Sequence, residues 1–172
     1  MILTMTDLDS PNESQSNTLC KACGLCCTGH LFIWTKLRSA ELESIEALGV
    51  KVFRSVPSQR GFNQPCPLWQ GQCTIYETPH YPRFCHTYKC KLLKDVLEES
   101  TSLPHALHLI EQAKEQIHEV QALLPLSQKA SFRERLADSL ESADHSQPVL
   151  RRKANALLHL YENVFGVKDV IE

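Results

Sequence analysis

The chain has 172 residues, 42% of them hydrophobic and 22% charged, which suits one compact domain or a small domain with an extension. Lys and Arg number 18 against 20 Asp and Glu, giving a formal charge of −2 and a pI near 6.4, without the basic surplus of a general nucleic-acid binder. No run approaches the roughly 18 apolar residues of a membrane span.

The first ten residues, Met1 to Ser10, have neither a basic n-region nor an apolar h-region, so no secretory signal is expected. The expected compartment is the cytoplasm. Under its reducing conditions clustered cysteines serve as metal ligands or catalytic groups more often than as disulfides. Residues 1–17 are polar and acidic and are expected to form a mobile tail.

All eight cysteines lie between Cys20 and Cys90, and most of the aromatic residues crowd the same stretch. A division near residue 95 is therefore expected. Residues 18–94 form a loop-rich, cysteine-bearing metal unit with a short helix and little strand, and residues 95–172 form a helical C-terminal region. The fold class is mostly α.

Leu31 to Thr35 is a short apolar run that favours strand. Ser39 to Gly49 reads as a helix with Ser39 as N-cap, Gly49 at C′, and Leu42, Ile45 and Leu48 buried. Val50–Val56 is expected to be extended. Five prolines in 57–85 predict loops and turns, and a segment with so little core needs another stabiliser.

A helix is expected from Tyr88 to about Ser100. Ser102 can cap the next, with Pro104 in its first turn and Leu103, Leu107, Ile110, Ile117, Val120 and Leu124 on one face, ended by Pro125. Phe132, Leu136 and Leu140 mark a third helix. The last runs from about Gln147 to Phe165, with Leu150, Leu157, Leu158, Tyr161 and Phe165 inward, and stops at Gly166.

The first cysteine group is Cys20-Lys-Ala-Cys23-Gly-Leu-Cys26-Cys27. A C-x2-C pair lets two thiolates converge on one ion, and Gly24 permits the tight turn of a zinc knuckle. Cys20, Cys23 and Cys26 also have the C-x2-C-x2-C spacing of bacterial ferredoxins, so spacing leaves zinc and iron open. Cys27 points away from Cys26. It either reaches toward a second site or is buried as a small apolar side chain. Cys66, Cys73, Cys85 and Cys90 supply four more thiols. Eight thiols match two four-thiolate sites, two clusters, or one site with spare reactive cysteines, and buried free thiols or disulfides are the bland alternatives.

Cys-x2-Cys-x2-Cys-Cys, then Pro-Cys-x6-Cys-x-Ile-Tyr, then Pro-x2-Cys-x2-Tyr-x-Cys resembles the CxxCxxCC (YkgJ-type) cysteine-cluster family, whose members are described as zinc- or iron-chelating. The resemblance covers about residues 18–92. It implies metal binding through Cys20, Cys23, Cys26, Cys27, Cys66, Cys73, Cys85 and Cys90. Where the family pattern carries arginines, this chain has Tyr81 and His86.

His30, His80 and His86 lie near cysteines and are candidate fourth ligands, whereas His105, His108, His118, His145 and His159 are expected to face solvent. Trp34 and Trp69 are expected to shield a metal core. Arg151-Arg-Lys153 reads as a solvated helix start, and Cys85-His86 is a weak candidate for a reactive thiol beside a base. No phosphate loop, nucleophile elbow or H-E-x-x-H is present. The expected function is metal binding, as zinc or an iron–sulfur cluster. One alternative is an iron–sulfur redox protein or protein-modifying component similar to a flagellin lysine methylase, though no S-adenosylmethionine site is readable. Metal storage or delivery is another. The helical region could present a surface to a protein partner.

Overall fold

Helix α1 spans Pro11–Cys23, so residues 11–17, assigned to a tail by composition, are helical. The computed structural model describes residues 11–56, 58–126, 131–141 and 147–168. Residues 1–10 and His145 lie outside them. Among the described residues no helix is long and apolar enough to cross a membrane.

Three short strands follow: β1 Trp34–Lys36, β2 Val52–Val56 and β3 Gln59–Asn63. They form one antiparallel sheet in the order β1-β3-β2, with Thr35 opposite Phe62 and Phe53 opposite Gly61. Gly61 is required there, because a Cβ would lie 1.9 Å from the Thr35 carbonyl oxygen. The strand expected at Leu31–Thr35 starts only at Trp34. Leu31 is instead drawn into the helical core at 1% exposure. The expected extended segment at 50–56 is β2, and β3 was hidden in the proline- and glycine-bearing stretch after it.

Between β1 and β2 the chain makes a 3-10 turn, Ser39–Glu41, and then α2, Leu42–Ala47. The N-cap is Arg38, one residue before the expected Ser39. The Glu41 carboxylate accepts from the Arg38 amide at 2.6 Å and also from the Arg83 amide at 2.8 Å, so it serves two helix starts at once. Leu42 and Ile45 are buried as expected. Leu48 is not, because the helix ends beneath it and leaves it 37% exposed; Gly49 takes the left-handed C′ position at φ +85°.

Of the helix expected from Tyr88 to about Ser100 only the later part forms, and a separate short helix precedes it in the stretch expected to be loops and turns. α3 is Arg83–Thr87, and α4 is Lys91–Leu97. Tyr88 and Cys90 between them are extended, which turns Cys90 inward ahead of α4. α5, Leu103–Leu123, starts as expected, with Ser102 Oγ accepting from the His105 amide at 3.4 Å and Pro104 in the first turn. Its buried stripe is Ala106, Ile110, Ala113, Ile117 and Val120, continued by Leu124; Leu103 and Leu107 are half-buried. α6, Phe132–Glu141, opens on a reciprocal cap in which the Ser131 amide donates to Glu134 and the Glu134 amide donates to Ser131 Oγ. α7, Pro148–Leu160, runs into a wider π turn, Tyr161–Phe165, and stops at left-handed Gly166. Its Leu150, Leu157, Tyr161 and Phe165 are buried and Leu158 is half-buried.

Two cores result. The larger joins Leu19, Leu25 and Leu31 to α4, α5, α6 and α7, so it crosses the sequence division near residue 95. The smaller contains Leu37, Leu42, Ile45, Val50, Phe62 and Ile75 beneath the sheet. Two polar contacts fasten the N-terminal segment to the helices. Lys114 Nζ donates to the Ala22 carbonyl at 2.8 Å at the end of α1, and buried Arg133 donates to the Leu31 carbonyl at 2.7 Å. Leu157 and Ile45, both 0% exposed, sit in different cores. Leu157→Ala and Ile45→Ala are each expected to cost about 2–5 kcal/mol of stability. Denaturant unfolding of the double variant should give the sum of the two within about 0.5 kcal/mol.

Candidate metal centre

Cys20 and Cys23 are three residues apart on the last turn of α1 and therefore share a face. The helix stops at Gly24, whose amide donates to the Cys20 carbonyl at 3.3 Å and whose φ is +69°. The chain then turns tightly. The Thr28 amide and hydroxyl both reach the Gly24 carbonyl, at 2.9 and 3.0 Å, and the His30 amide reaches Leu25 at 3.0 Å. Leu25, 2% exposed, pins this turn into the larger core, against which Cys26 also packs. A Cβ on Gly24 would meet the Trp69 ring at 2.1 Å. Trp69 thus lies over the knuckle, as expected of a shield. Trp34 does not; it packs on Phe53 across the sheet at 5.7 Å.

The second group is tied to the first through backbone. The Cys66 amide donates to the Cys27 carbonyl at 2.7 Å. Trp69 pairs with Cys73 in an isolated antiparallel bridge, which closes the loop between these two cysteines. Cys85 is carried by α3, and Cys90 precedes α4.

Backbone N–H groups point at four of the sulfurs. Leu25 serves Cys23, Leu68 and Trp69 serve Cys66, Ile75 and Tyr76 serve Cys73, and Leu92 and Leu93 serve Cys90. Amides aimed at sulfur stabilise the thiolate that a metal requires. Against them, burial pushes all eight thiols up: Cys20 to about 11, Cys23 and Cys27 to about 12, Cys26 and Cys85 well above the usual thiol range, and Cys66, Cys73 and Cys90 upward. Neighbouring thiols add to the effect. All eight are free rather than paired in disulfides.

Seven of the eight cysteines, all but Cys66, line one cavity of about 90 Å³. Its outer wall is aromatic. Phe32 meets Phe84 and Tyr88 edge-on at 5.9 and 4.7 Å, and Tyr76 lies 4.9 Å from Tyr81. The thiols surround this space instead of closing on one point: among the described residues, no three His, Cys, Asp or Glu side chains are grouped closely enough to hold a single ion. The donor set is soft, free and amide-supported, which fits zinc or an iron–sulfur cluster.

The candidate histidines stand apart. His30 is turned onto Phe132, edge-on at 4.8 Å, and its Nδ1 is buried without a partner. His80 is exposed. His86 is exposed, 6.4 Å from the Tyr81 ring, and lines an outer cleft of about 770 Å³ together with Cys20 and Cys85. His105, His108, His118 and His159 are exposed as expected.

Sequence reasoning gave no role to several residues the fold brings to the thiols. Lys21 lies 4.7 Å above the Tyr76 ring and is close enough to Cys73 to oppose the upward push on that thiol. Tyr161 is wholly buried, its hydroxyl has no partner, and Cys23 and Arg133 are its charged neighbours. Tyr76 and Tyr88 stand in the motif positions quoted above, which was the available signal, whereas Tyr81 stands where the family pattern carries an arginine. Nothing local marks Tyr161, 138 residues beyond Cys23 in the chain.

A family model named CxxCxxCC and described as "putative zinc- or iron-chelating domain" matches residues 19–121. The match extends through most of α5, past the 18–92 span over which the cysteine motifs carry the resemblance. No curated protein and no solved structure matches the chain.

Two outcomes test this geometry. Gly24→Ala forces a left-handed alanine, at about 1–2 kcal/mol, and displaces Trp69. Metal affinity measured by competition with a chelator is expected to fall about tenfold or more. Gly49→Ala, equally left-handed but with nothing within 4 Å, is the control that should leave affinity unchanged. The second concerns His30, which burial pushes down from 6.5 to about 4. The unfolded chain takes up this proton first, so stability falls as pH drops from about 6.5 to about 4, by on the order of 2 kcal/mol. In pH-dependent unfolding, His30→Phe should lose less stability than the parent over that window.

Proposed function

Because the chain belongs to the CxxCxxCC family, we propose that it chelates metal through the thiolates of Cys20, Cys23, Cys26, Cys27, Cys66, Cys73, Cys85 and Cys90. We read the metal as iron–sulfur rather than mononuclear zinc. The observation that carries this reading is the cavity of about 90 Å³ bounded by seven cysteines. Four thiolates on one zinc at about 2.3 Å would lie about 3.8 Å from one another and leave no such space. A cluster holds its thiolates farther apart and fills the volume between them.

The chain's own part in this chemistry is positional. The amides of Leu25, Leu68, Trp69, Ile75, Tyr76, Leu92 and Leu93 support thiolate charge, and the ring wall of Phe32, Phe84 and Tyr88 keeps water from it. When bound, a cluster would supply one-electron transfer. The cleft that holds Cys20, Cys85 and His86 at its floor and rim supplies a route from solvent to the thiols, and a partner or substrate would reach the centre there.

Binding also bears on folding. The smaller core has six buried residues, few for a segment running from Leu37 to Ile75, and thiolate–metal bonds would tie that segment to the helices. Anaerobically purified protein is expected to contain iron and acid-labile sulfide and to show broad visible thiolate-to-iron absorption. Zinc without visible bands would overturn the cluster reading and leave chelation standing; neither metal would overturn both. Complete removal of the metal is expected to reduce far-UV circular dichroism and lower the unfolding midpoint.

A further inference from the structure

Seven of the eight thiols border one cavity, yet the cysteines around it fall into two neighbourhoods. Cys26 and Cys27 are adjacent on the turn after Gly24, and the chain sends them to opposite neighbourhoods. Cys20, Cys23, Cys26 and Cys90 all pack against the larger core. Cys66 and Cys73 pack against the smaller one. Each thiol's strongest charged cysteine neighbours give the same division. Cys20 faces Cys90; Cys23 faces Cys90 and then Cys20; Cys26 faces Cys23 and then Cys90. Cys27 faces Cys66 and Cys73 ahead of Cys23 and Cys20. Cys85 faces Cys27, Cys66 and Cys73, and Cys66 faces Cys73.

Backbone contacts agree. The Cys66 amide bonds to the carbonyl of Cys27, not of Cys26. Each group of four also contains two sulfurs that receive backbone N–H groups: Cys23 and Cys90 in one, Cys66 and Cys73 in the other.

On these juxtapositions we propose that the protein has two four-thiolate metal sites, one formed by Cys20, Cys23, Cys26 and Cys90 on the helical core, the other by Cys27, Cys66, Cys73 and Cys85 beside the sheet. The division rests on the chelation reading above; since no three of these side chains are grouped closely enough for a single ion among the described residues, each site would hold a cluster, or its four thiols would draw together on a single ion. It gives Cys27 a role: it begins the second site one residue after the first has taken its third ligand. The two sites are then joined by a single peptide unit, whose Cα atoms are about 3.8 Å apart. Each also ties a different set of segments. The first joins α1 to α4, and the second joins the turn after α1 to the loop 66–73 and α3. Conversion of all eight ligands to thiolates releases one proton from each thiol on binding, so affinity at both sites rises with pH.

Matched and mixed double variants separate this arrangement from any other. Cys20→Ser with Cys90→Ser removes two ligands from one site, and Cys73→Ser with Cys85→Ser removes two from the other. Each matched pair is expected to retain about half of the parent's zinc or iron per chain. Cys20→Ser with Cys85→Ser is mixed, damages both sites, and is expected to retain little. Equal metal content in matched and mixed variants would overturn the division. A parent protein carrying neither zinc nor iron would overturn the chelation reading itself, so the two failures are distinct. For variants that do not fold, the parent protein gives the same answer. Metal is withdrawn stepwise with a chelator, freed thiols are alkylated, and the peptides are mapped by mass spectrometry. Half-stripped molecules should carry label on Cys20, Cys23, Cys26 and Cys90 together, or on the other four together. Label spread across both groups in those molecules would overturn the proposal.

Discussion

The turn from Gly24 to Thr28 is the constraint on which the rest depends. It is the place where a helix end, a buried leucine, four cysteines and the second cysteine group meet. Gly24 must be left-handed to stop α1 after Cys23, and it must lack a Cβ because Trp69 covers it. Leu25 holds the turn in the helical core, and the Cys27 carbonyl holds Cys66. A shift of one residue here would rotate Cys26 and Cys27 out of their neighbourhoods and break both links together.

Electrostatics bears on the metal that the proposed function assigns to this turn. Eight thiols are held close to one another in a region walled by Phe32, Phe84 and Tyr88. Burial and mutual repulsion keep them protonated at neutral pH, so amides pointing at four of the sulfurs are more than neutral thiols need. A cation or cationic cluster reverses the balance: it favours thiolate, the amides then strengthen, and the low-dielectric wall magnifies the attraction. The arrangement is strained toward deprotonation in its backbone and toward protonation in its burial, and a metal satisfies both.

The sequence made the gathering of the cysteines legible because cysteine spacing is local and chemically narrow. It also made the helices of the C-terminal half legible, since Ser102 with Pro104, Pro125 and Gly166 are start and stop signals that act within a turn of the chain. The sequence did not show where the helical half belongs. Leu19, Leu25 and Leu31 read as members of the cysteine unit, yet they share one core with α4, α5 and α7, and α5 bonds back to the end of α1 across 92 residues of chain. Likewise the extended link at Tyr88–Cys90 has no turn signal of its own. An uninterrupted helix would be locally acceptable there, and only the inward position of Cys90 against Cys20 and Cys23 accounts for the break.

The two cores and the cysteines are therefore parts of one arrangement. A helical core of nineteen buried residues is adequate for its own half of the chain, whereas six residues beneath a three-stranded sheet are not adequate for the other. The smaller half leans on the larger at few backbone points, chiefly Cys27 to Cys66 and the Glu41 carboxylate on the Arg83 amide. These place Cys66 and Cys85 beside Cys27 before any metal arrives. Protein contacts bring the cysteines near one another, and under the proposed function metal–thiolate bonds would supply the cohesion that the sheet lacks, so the loop-rich half of the molecule would depend on its metal more strongly than the helical half.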